Sequence, residues 1–275
     1  MSGADAGAFA ALISLTAFGA SDVLRLGQLH FSELAHAAGA DGVEVRGELW
    51  RGGAAERQDL AQALAALGLQ RVYSSPQGLW QDDGALDHAA LADGLQTAQA
   101  LGAPRLKMAI GGFSTASCRT LSTLQATLAQ TPGLDLVIEN DQTASAGTLG
   151  ALQRFTAACD QAGVSLGLTF DMGNWHWTGE CPLQAAQALA PRVRYVHCKG
   201  VLRQPQRWVA VPLAQSQAPW RAVLRALPAD RPWAIEYPLQ GDDLLATTRG
   251  ELALLRAEAQ RVRAVHESSA SCEAA

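Results

Sequence analysis

Four short apolar runs in the second half of the chain each close on one ionisable residue: Val137-Ile138-Glu139, Thr169-Phe170-Asp171, Tyr195-Val196-His197 and Ala234-Ile235-Glu236. Side chains alternate between faces along an extended strand, so Val137 and Glu139 share a face, as do Thr169 and Asp171, Tyr195 and His197, and Ala234 and Glu236. If the first of each pair points into a closed sheet, the second points into its mouth and four groups converge. Alone, a strand-end acid reads as a helix cap or a solvated turn, and a lone histidine as a hydrogen-bonded core residue. Together they need compensation, because an unpaired, partly buried charge costs several kcal/mol. A divalent cation supplies it. Three carboxylates and one imidazole make an oxygen-rich set, suited to Mn²⁺, with Mg²⁺ or Co²⁺ as alternatives, rather than to a thiolate-type zinc site. The expected metal ligands are therefore Glu139, Asp171, His197 and Glu236. They leave open positions on the ion for two vicinal oxygens of a sugar or keto acid.

Further polar residues gather at the same strand ends. Glu44 and Arg46 close the run Asp41–Arg46, Lys107 lies in the run 105–110, and Lys199 follows His197 by two positions. The chain has only two lysines among its 21 Lys and Arg residues, and both lie in runs that head toward the proposed site. An ammonium is a compact, mobile point charge where a guanidinium is a rigid fork, so Lys107 and Lys199 are expected substrate contacts, with Glu44 and Arg46. Trp80, Phe113, Trp175 and Trp177 follow strand ends and could wall a sugar-sized pocket, Trp175 being the wall residue assigned to substrate. Gly111-Gly112 reads either as a close approach to ligand or as a simple turn.

The elements that must position these groups alternate along the whole length. Strand-like runs are expected near 11–15, 41–46, 71–75, 105–110, 134–140, 165–171, 193–199 and 233–238, with amphipathic helical stretches such as 86–103 and 147–163 between them. Gly68, Gly102 and Gly163 stand where helices should stop. Eight such units suit a closed (β/α)₈ barrel or an open doubly wound sheet, both α/β folds. No GxGxxG follows the first strand, which removes the main support for a dinucleotide-binding fold. Without a linker or composition break, residues 1–265 are expected to form a single (β/α)₈ barrel and 266–275 a frayed, disordered tail.

The 275 residues match the size of such a barrel, and 48% hydrophobic against 17% charged residues supports a large core. A net charge of −5 with no basic stripe excludes backbone-directed nucleic-acid binding. The five cysteines are scattered, without CxxC spacing, and read as reduced thiols. The opening segment lacks a basic region and no run is long enough for a membrane helix, so the expectation is a soluble, cytoplasmic protein without a membrane partner.

The order Glu…Asp…His…Glu on the last four strands, with gaps of 32, 26 and 39 residues, resembles the xylose-isomerase-like sugar phosphate isomerase/epimerase superfamily. The likeness runs from Glu44-Val45-Arg46 through Ser74-Ser75-Pro76 to Val196-His197-Cys198-Lys199-Gly200 and Ile235-Glu236-Tyr237. That group includes ketose 3-epimerases, hydroxypyruvate isomerase, inosose dehydratase and endonuclease IV. The resemblance implies a TIM barrel in which Glu139 and Glu236 bind the metal and also act as acid/base groups on opposite sides of a substrate carbon, while the metal stabilises an enediolate. It implies a carbohydrate or sugar-acid substrate, and dimers or tetramers, since members often form homo-oligomers. Asn174 stands where the epimerases and endonuclease IV have histidine; His176 could substitute, and Arg203 matches the spacing of a substrate-binding arginine.

The first expectation is thus a metal-dependent isomerase or epimerase. The alternative is a lyase on the same scaffold, a keto-polyol dehydratase or a 3-oxo sugar acid decarboxylase. An abasic-site endonuclease is disfavoured by the acidic charge and the missing histidines, and a non-enzymatic sugar-binding barrel by the intact carboxylates.

Overall fold

The computed structural model describes residues 9–273; residues 1–8 of the opening segment and the last two residues of the expected tail lie outside the described residues. Among the described residues there are ten strands: β1 (Ala11–Ser14), β2 (Gly42–Arg46), β3 (Gln70–Trp80), β4 (Arg105–Gly111), β5 (Asp135–Glu139), β6 (Gly167–Asp171), β7 (Val193–Cys198), β8 (Gly200–Arg203), β9 (Trp208–Val211) and β10 (Trp233–Ile235). Eight of them close into a parallel barrel in the order β1-β10-β7-β6-β5-β4-β3-β2, while β8 and β9 pair as a separate antiparallel hairpin.

Period-two alternation sorts the strand residues. Outward-facing Val43, Val45, Leu106, Met108, Leu136, Ile138, Leu168, Phe170, Val196 and Ile235 join the main core under the helices. Inward-facing Leu12, Val72, Tyr195 and Ala234 form a second, small cluster with Ala10 inside the barrel. That apolar plug fills only part of the interior. Nearer the C-terminal strand ends the inward positions turn polar, and strand register lays them side by side: Ser14 beside Glu44, Ser74 beside Lys107, Asp171 beside His197.

The helices follow from apolar spacing and caps. Leu149–Gln161 buries Leu152, Phe155, Thr156 and Cys159, one stripe at helical spacing. Its N-cap Thr148 accepts the Ala151 amide at 3.2 Å. His88–Leu101 starts from Asp87, which accepts the Ala90 amide at 2.9 Å, and ends on Gly102 in the left-handed region at φ 63°. Gly68 and Gly163 likewise follow helices at positive φ, as expected.

Three features depart from the sequence reading. β3 continues to Trp80, the hairpin β8–β9 was not expected, and the final helix spans Leu244–Glu273, so the backbone expected as a tail is helical through Glu273. His266 gives that helix a foothold, its Nε2 donating to the Arg225 carbonyl at 2.8 Å. Among the described residues no helix is long and apolar enough to cross a membrane.

Candidate metal centre

Glu139 ends β5, Asp171 ends β6, His197 lies near the end of β7 and Glu236 follows β10. One ligand atom from each lies within 4.8 Å of the others. The His197 Nδ1 is 2.7 Å from Glu139 Oε1, 2.9 Å from Glu236 Oε2 and 3.8 Å from Asp171 Oδ2. All four of these atoms are buried and none has a hydrogen bond of acceptable direction, although the Lys199 ammonium lies at ion-pair distance from Asp171 Oδ2 and Glu236 Oε2. Buried polar atoms are seldom left in that condition. Four lone-pair atoms turned toward one region fit a divalent cation, and the donor set fits a hard or borderline one.

Each ligand is fixed by its other polar atom. Asp171 Oδ1 accepts the amides of Gly173 and Asn174 at 2.7 and 2.9 Å, which leaves Oδ2 facing the cluster. The buried Asn140 side chain clamps the Asp171 backbone, accepting its N–H at 2.8 Å and donating to its carbonyl at 3.0 Å. Glu44 Oε2 lies 2.7 Å from His197 Nε2. A neutral ring that donates Nε2–H there presents the Nδ1 lone pair to the cluster, the usual carboxylate–histidine–metal arrangement. Lys107 Nζ donates to Glu139 Oε2 at 2.5 Å, and Arg46 Nη1 donates to Glu236 Oε1 at 2.8 Å. Arg46 also donates to Glu44 Oε1 at 2.8 Å, while its backbone is held by the buried Gln28 amide through bonds of 2.7 and 3.0 Å. Lys199 Nζ sits 2.7 Å from Asp171 Oδ2, 2.9 Å from Glu236 Oε2 and 3.1 Å from Asn174 Oδ1.

Burial and charge oppose each other throughout. Burial alone would raise the Glu44 and Glu236 carboxyls, yet His197 and the neighbouring lysines, with Arg46 beside Glu44, hold both well below the usual carboxylate range. Glu139 is likewise lowered against burial by Lys107 and His197. Asp171 goes the other way: burial raises it, and Lys199 only partly offsets that. Burial disfavours charge on His197, but Glu236, Glu44 and Glu139 raise its imidazole well above the ordinary value. A cation held at the His197 Nδ1 would require the neutral ring.

The other expected contacts divide. Arg46, Lys107 and Lys199 join the cluster, and Asn174 reaches it through Lys199. Glu44, expected at the substrate, is fully buried and sets its Oε2 against His197 Nε2. Trp175 is also corrected: it is fully buried in the main core, its ring 5.3 Å from Phe170, whose side chain faces the helices. Trp80 and Phe113 pack edge-to-face with Phe155 in that same layer. His176 and Arg203, expected at the substrate, meet at Trp208 of the hairpin, at 4.7 and 5.3 Å. The half-buried His176 imidazole is lowered by burial. Gly111 has φ 67°, and a Cβ there would sit 2.2 Å from the Trp80 carbonyl, so the pair is a tight backbone crossing. Asn140, Ser14 and Gln28 were missed. Only Asn140, an amide directly after a ligand, carried a signal.

Comparison with known proteins agrees with this architecture. A chain described as a xylose isomerase-like TIM barrel/4-hydroxyphenylpyruvate dioxygenase fusion protein superposes with a TM-score of 0.73 at 15% identity, covering 95% of this chain and 44% of that longer one. A D-psicose 3-epimerase with D-tagatose from Clostridium cellulolyticum H10 gives 0.64 at 13% identity, over 91% of this chain and 99% of that one. The probable 3-DHS dehydratase AsbF from Bacillus anthracis gives 0.65 at 14%, over 90% and 98%. At these identities the likeness speaks for the fold. No curated protein matches the sequence. The family model for the xylose isomerase-like TIM barrel matches residues 32–259, a span holding every barrel strand except β1 and all four clustered residues. The chain belongs to the xylose isomerase-like TIM barrel family.

Proposed function

We propose that this chain is a divalent-metal-dependent isomerase or epimerase acting on a sugar, keto sugar or sugar acid by proton transfer beside a carbonyl. One observation carries the reading: Glu139 Oε1, Asp171 Oδ2, His197 Nδ1 and Glu236 Oε2 are buried together without directed hydrogen bonds. When bound there, the cation would polarise a substrate carbonyl and favour charge developing on its oxygen. The chain's own groups supply the rest. Asp171 and His197 are rigid ligands, fixed by backbone amides and by Glu44. Glu139 and Glu236 are the more exposed pair and are placed to exchange a proton with carbon.

A second reading, a lyase acting on a sugar acid or keto-polyol, draws support from the same contacts. The second oxygens of Glu139 and Glu236 each accept from a cation, Lys107 and Arg46, so neither carboxylate is free in the manner of a simple two-base epimerase. Structural neighbours named as epimerases and as a probable dehydratase accommodate both chemistries on this fold. The test begins with stripped protein titrated with Mn²⁺, followed by incubation of the loaded protein with keto sugars and sugar acids in D₂O. One stoichiometric ion and deuterium incorporation without mass loss support the isomerase. Release of water or CO₂ supports the lyase. Absence of a bound ion refutes both.

A further inference from the structure

The three carboxylates of the centre share one arrangement. Glu139 Oε1, Asp171 Oδ2 and Glu236 Oε2 gather around His197 Nδ1, and in each residue the second oxygen is engaged elsewhere. For Asp171 the partners are two backbone amides, at 2.7 and 2.9 Å. For Glu236 the partner is the Arg46 guanidinium at 2.8 Å, and for Glu139 the Lys107 ammonium at 2.5 Å. Three unrelated kinds of donor thus leave one oxygen per carboxylate facing the centre.

A carboxylate oxygen can serve an ammonium and a cation at once, so direction decides how many oxygens each residue offers. To chelate through both, a carboxylate must turn its second oxygen toward the ion and stretch the bond that holds it. Asp171 would strain two amide bonds. Glu236 would loosen one contact of Arg46, which keeps Glu44 and Glu48. Glu139 would loosen Lys107, whose other carboxylate oxygen, Glu44 Oε1, lies 3.6 Å away and whose side chain is 2% exposed. An ammonium at that depth is costly to leave with one distant partner. The hold on Glu139 is therefore firmer than the hold on Glu236.

Four protein donors follow, three oxygens and one nitrogen. An octahedral ion such as Mn²⁺ completes its shell with about two further oxygens. Ca²⁺ is larger, gathers about six to eight oxygens and commonly takes both oxygens of a carboxylate. We propose that Lys107 is a positioning residue for ion selection: by fixing Glu139 as a one-oxygen ligand it disfavours Ca²⁺ in a site that accepts Mn²⁺. This rests on the metal-dependent reading above and adds the means by which the site rejects a competing ion.

The experiment uses the full chain, stripped and then titrated with Mn²⁺ and Ca²⁺ in competition, with free Mn²⁺ read by electron paramagnetic resonance. The imidazole nitrogen favours Mn²⁺ in every variant, so the informative quantity is the change in the Mn²⁺/Ca²⁺ affinity ratio. Loss of one positive charge tightens both dications alike and cancels in that ratio. In Lys107→Met the ratio is expected to fall about tenfold, because Ca²⁺ gains the second oxygen of Glu139; a fall of less than about threefold overturns the proposal. Where that variant fails to fold, water-proton relaxation of the Mn²⁺-loaded parent decides. About two coordinated waters are expected there, and one or none means that a carboxylate already binds through both oxygens, which overturns the proposal as well. Failure to retain Mn²⁺ at all sinks the metal-dependent reading itself, and Mn²⁺ retained with an unchanged ratio sinks only this inference.

Discussion

Glu44 is the residue whose removal separates orientation from ligation. Its Oε2 serves His197 Nε2 at 2.7 Å, while Oε1 accepts from Arg46 Nη1 at 2.8 Å and Ser14 Oγ at 3.3 Å and lies 3.6 Å from Lys107 Nζ. An amide can reproduce only one side of this. In Glu44→Gln the carbonyl can still accept from His197, but the NH₂ then faces Arg46 and Lys107, donor against donor. Second-layer changes of this kind weaken metal binding by about 10–100-fold, or roughly 1.4–2.7 kcal/mol. Glu44→Ala leaves the His197 Nε2 without a partner and takes one carboxylate from Arg46 and Lys107, which keep Glu236 and Glu139; a broken buried pair costs about 3–5 kcal/mol. The expected outcome is graded: Glu44→Gln folds with Mn²⁺ affinity lowered at least about tenfold, and Glu44→Ala also loses several kcal/mol of stability. Mn²⁺ titration by electron paramagnetic resonance and urea unfolding of the stripped protein read the two effects separately. Mn²⁺ affinity within about twofold of the parent in both folded variants would refute the tautomer argument, since it implies that His197 needs no partner at Nε2.

Mn²⁺ at about 100 times its dissociation constant should add about 2.7 kcal/mol of stability, visible as a concentration-dependent rise in Tm that a chelator reverses; a flat Tm counts against the site. Asn140→Ala should cost about 2–4 kcal/mol in urea unfolding, because the Asp171 amide and carbonyl lose buried partners at 2.8 and 3.0 Å. Burial pushes the Cys159 thiol up to about 12, so it stays protonated at pH 8 with a thiolate fraction near ~10⁻⁴. The exposed Cys118 and Cys181 should therefore label with a thiol-specific disulfide reagent at that pH while Cys159 reacts only after denaturation, as mapped by mass spectrometry.

The barrel and the convergence of Glu139, Asp171, His197 and Glu236 were legible because each relevant strand is apolar and closes on one ionisable group, so period-two alternation alone decides which side chains meet. Depth was not legible. Glu44 and Arg46 look equivalent in sequence, yet Glu44 is fully buried while Arg46, two residues further along the strand, keeps some exposure. Trp175 misled for a related reason. It follows a ligand loop, but a short 3₁₀ turn at Asn174–His176 rotates it outward into the core. The hairpin had a signal in hindsight, since Gly200–Arg203 and Trp208–Val211 are strand-like runs flanking a Pro-containing turn. Gln28 had none: a buried glutamine that braces a backbone 18 residues away is visible only in three dimensions.

The bond from Arg46 to Glu236 joins residues 190 positions apart, and β10, which precedes Glu236, docks between β1 and β7. The four-residue cluster therefore comes together only when the last of the barrel strands docks. A barrel still open at that seam holds Glu139, Asp171 and His197 without the fourth group. A cation at this position would thus enter a closed barrel and would not nucleate its folding.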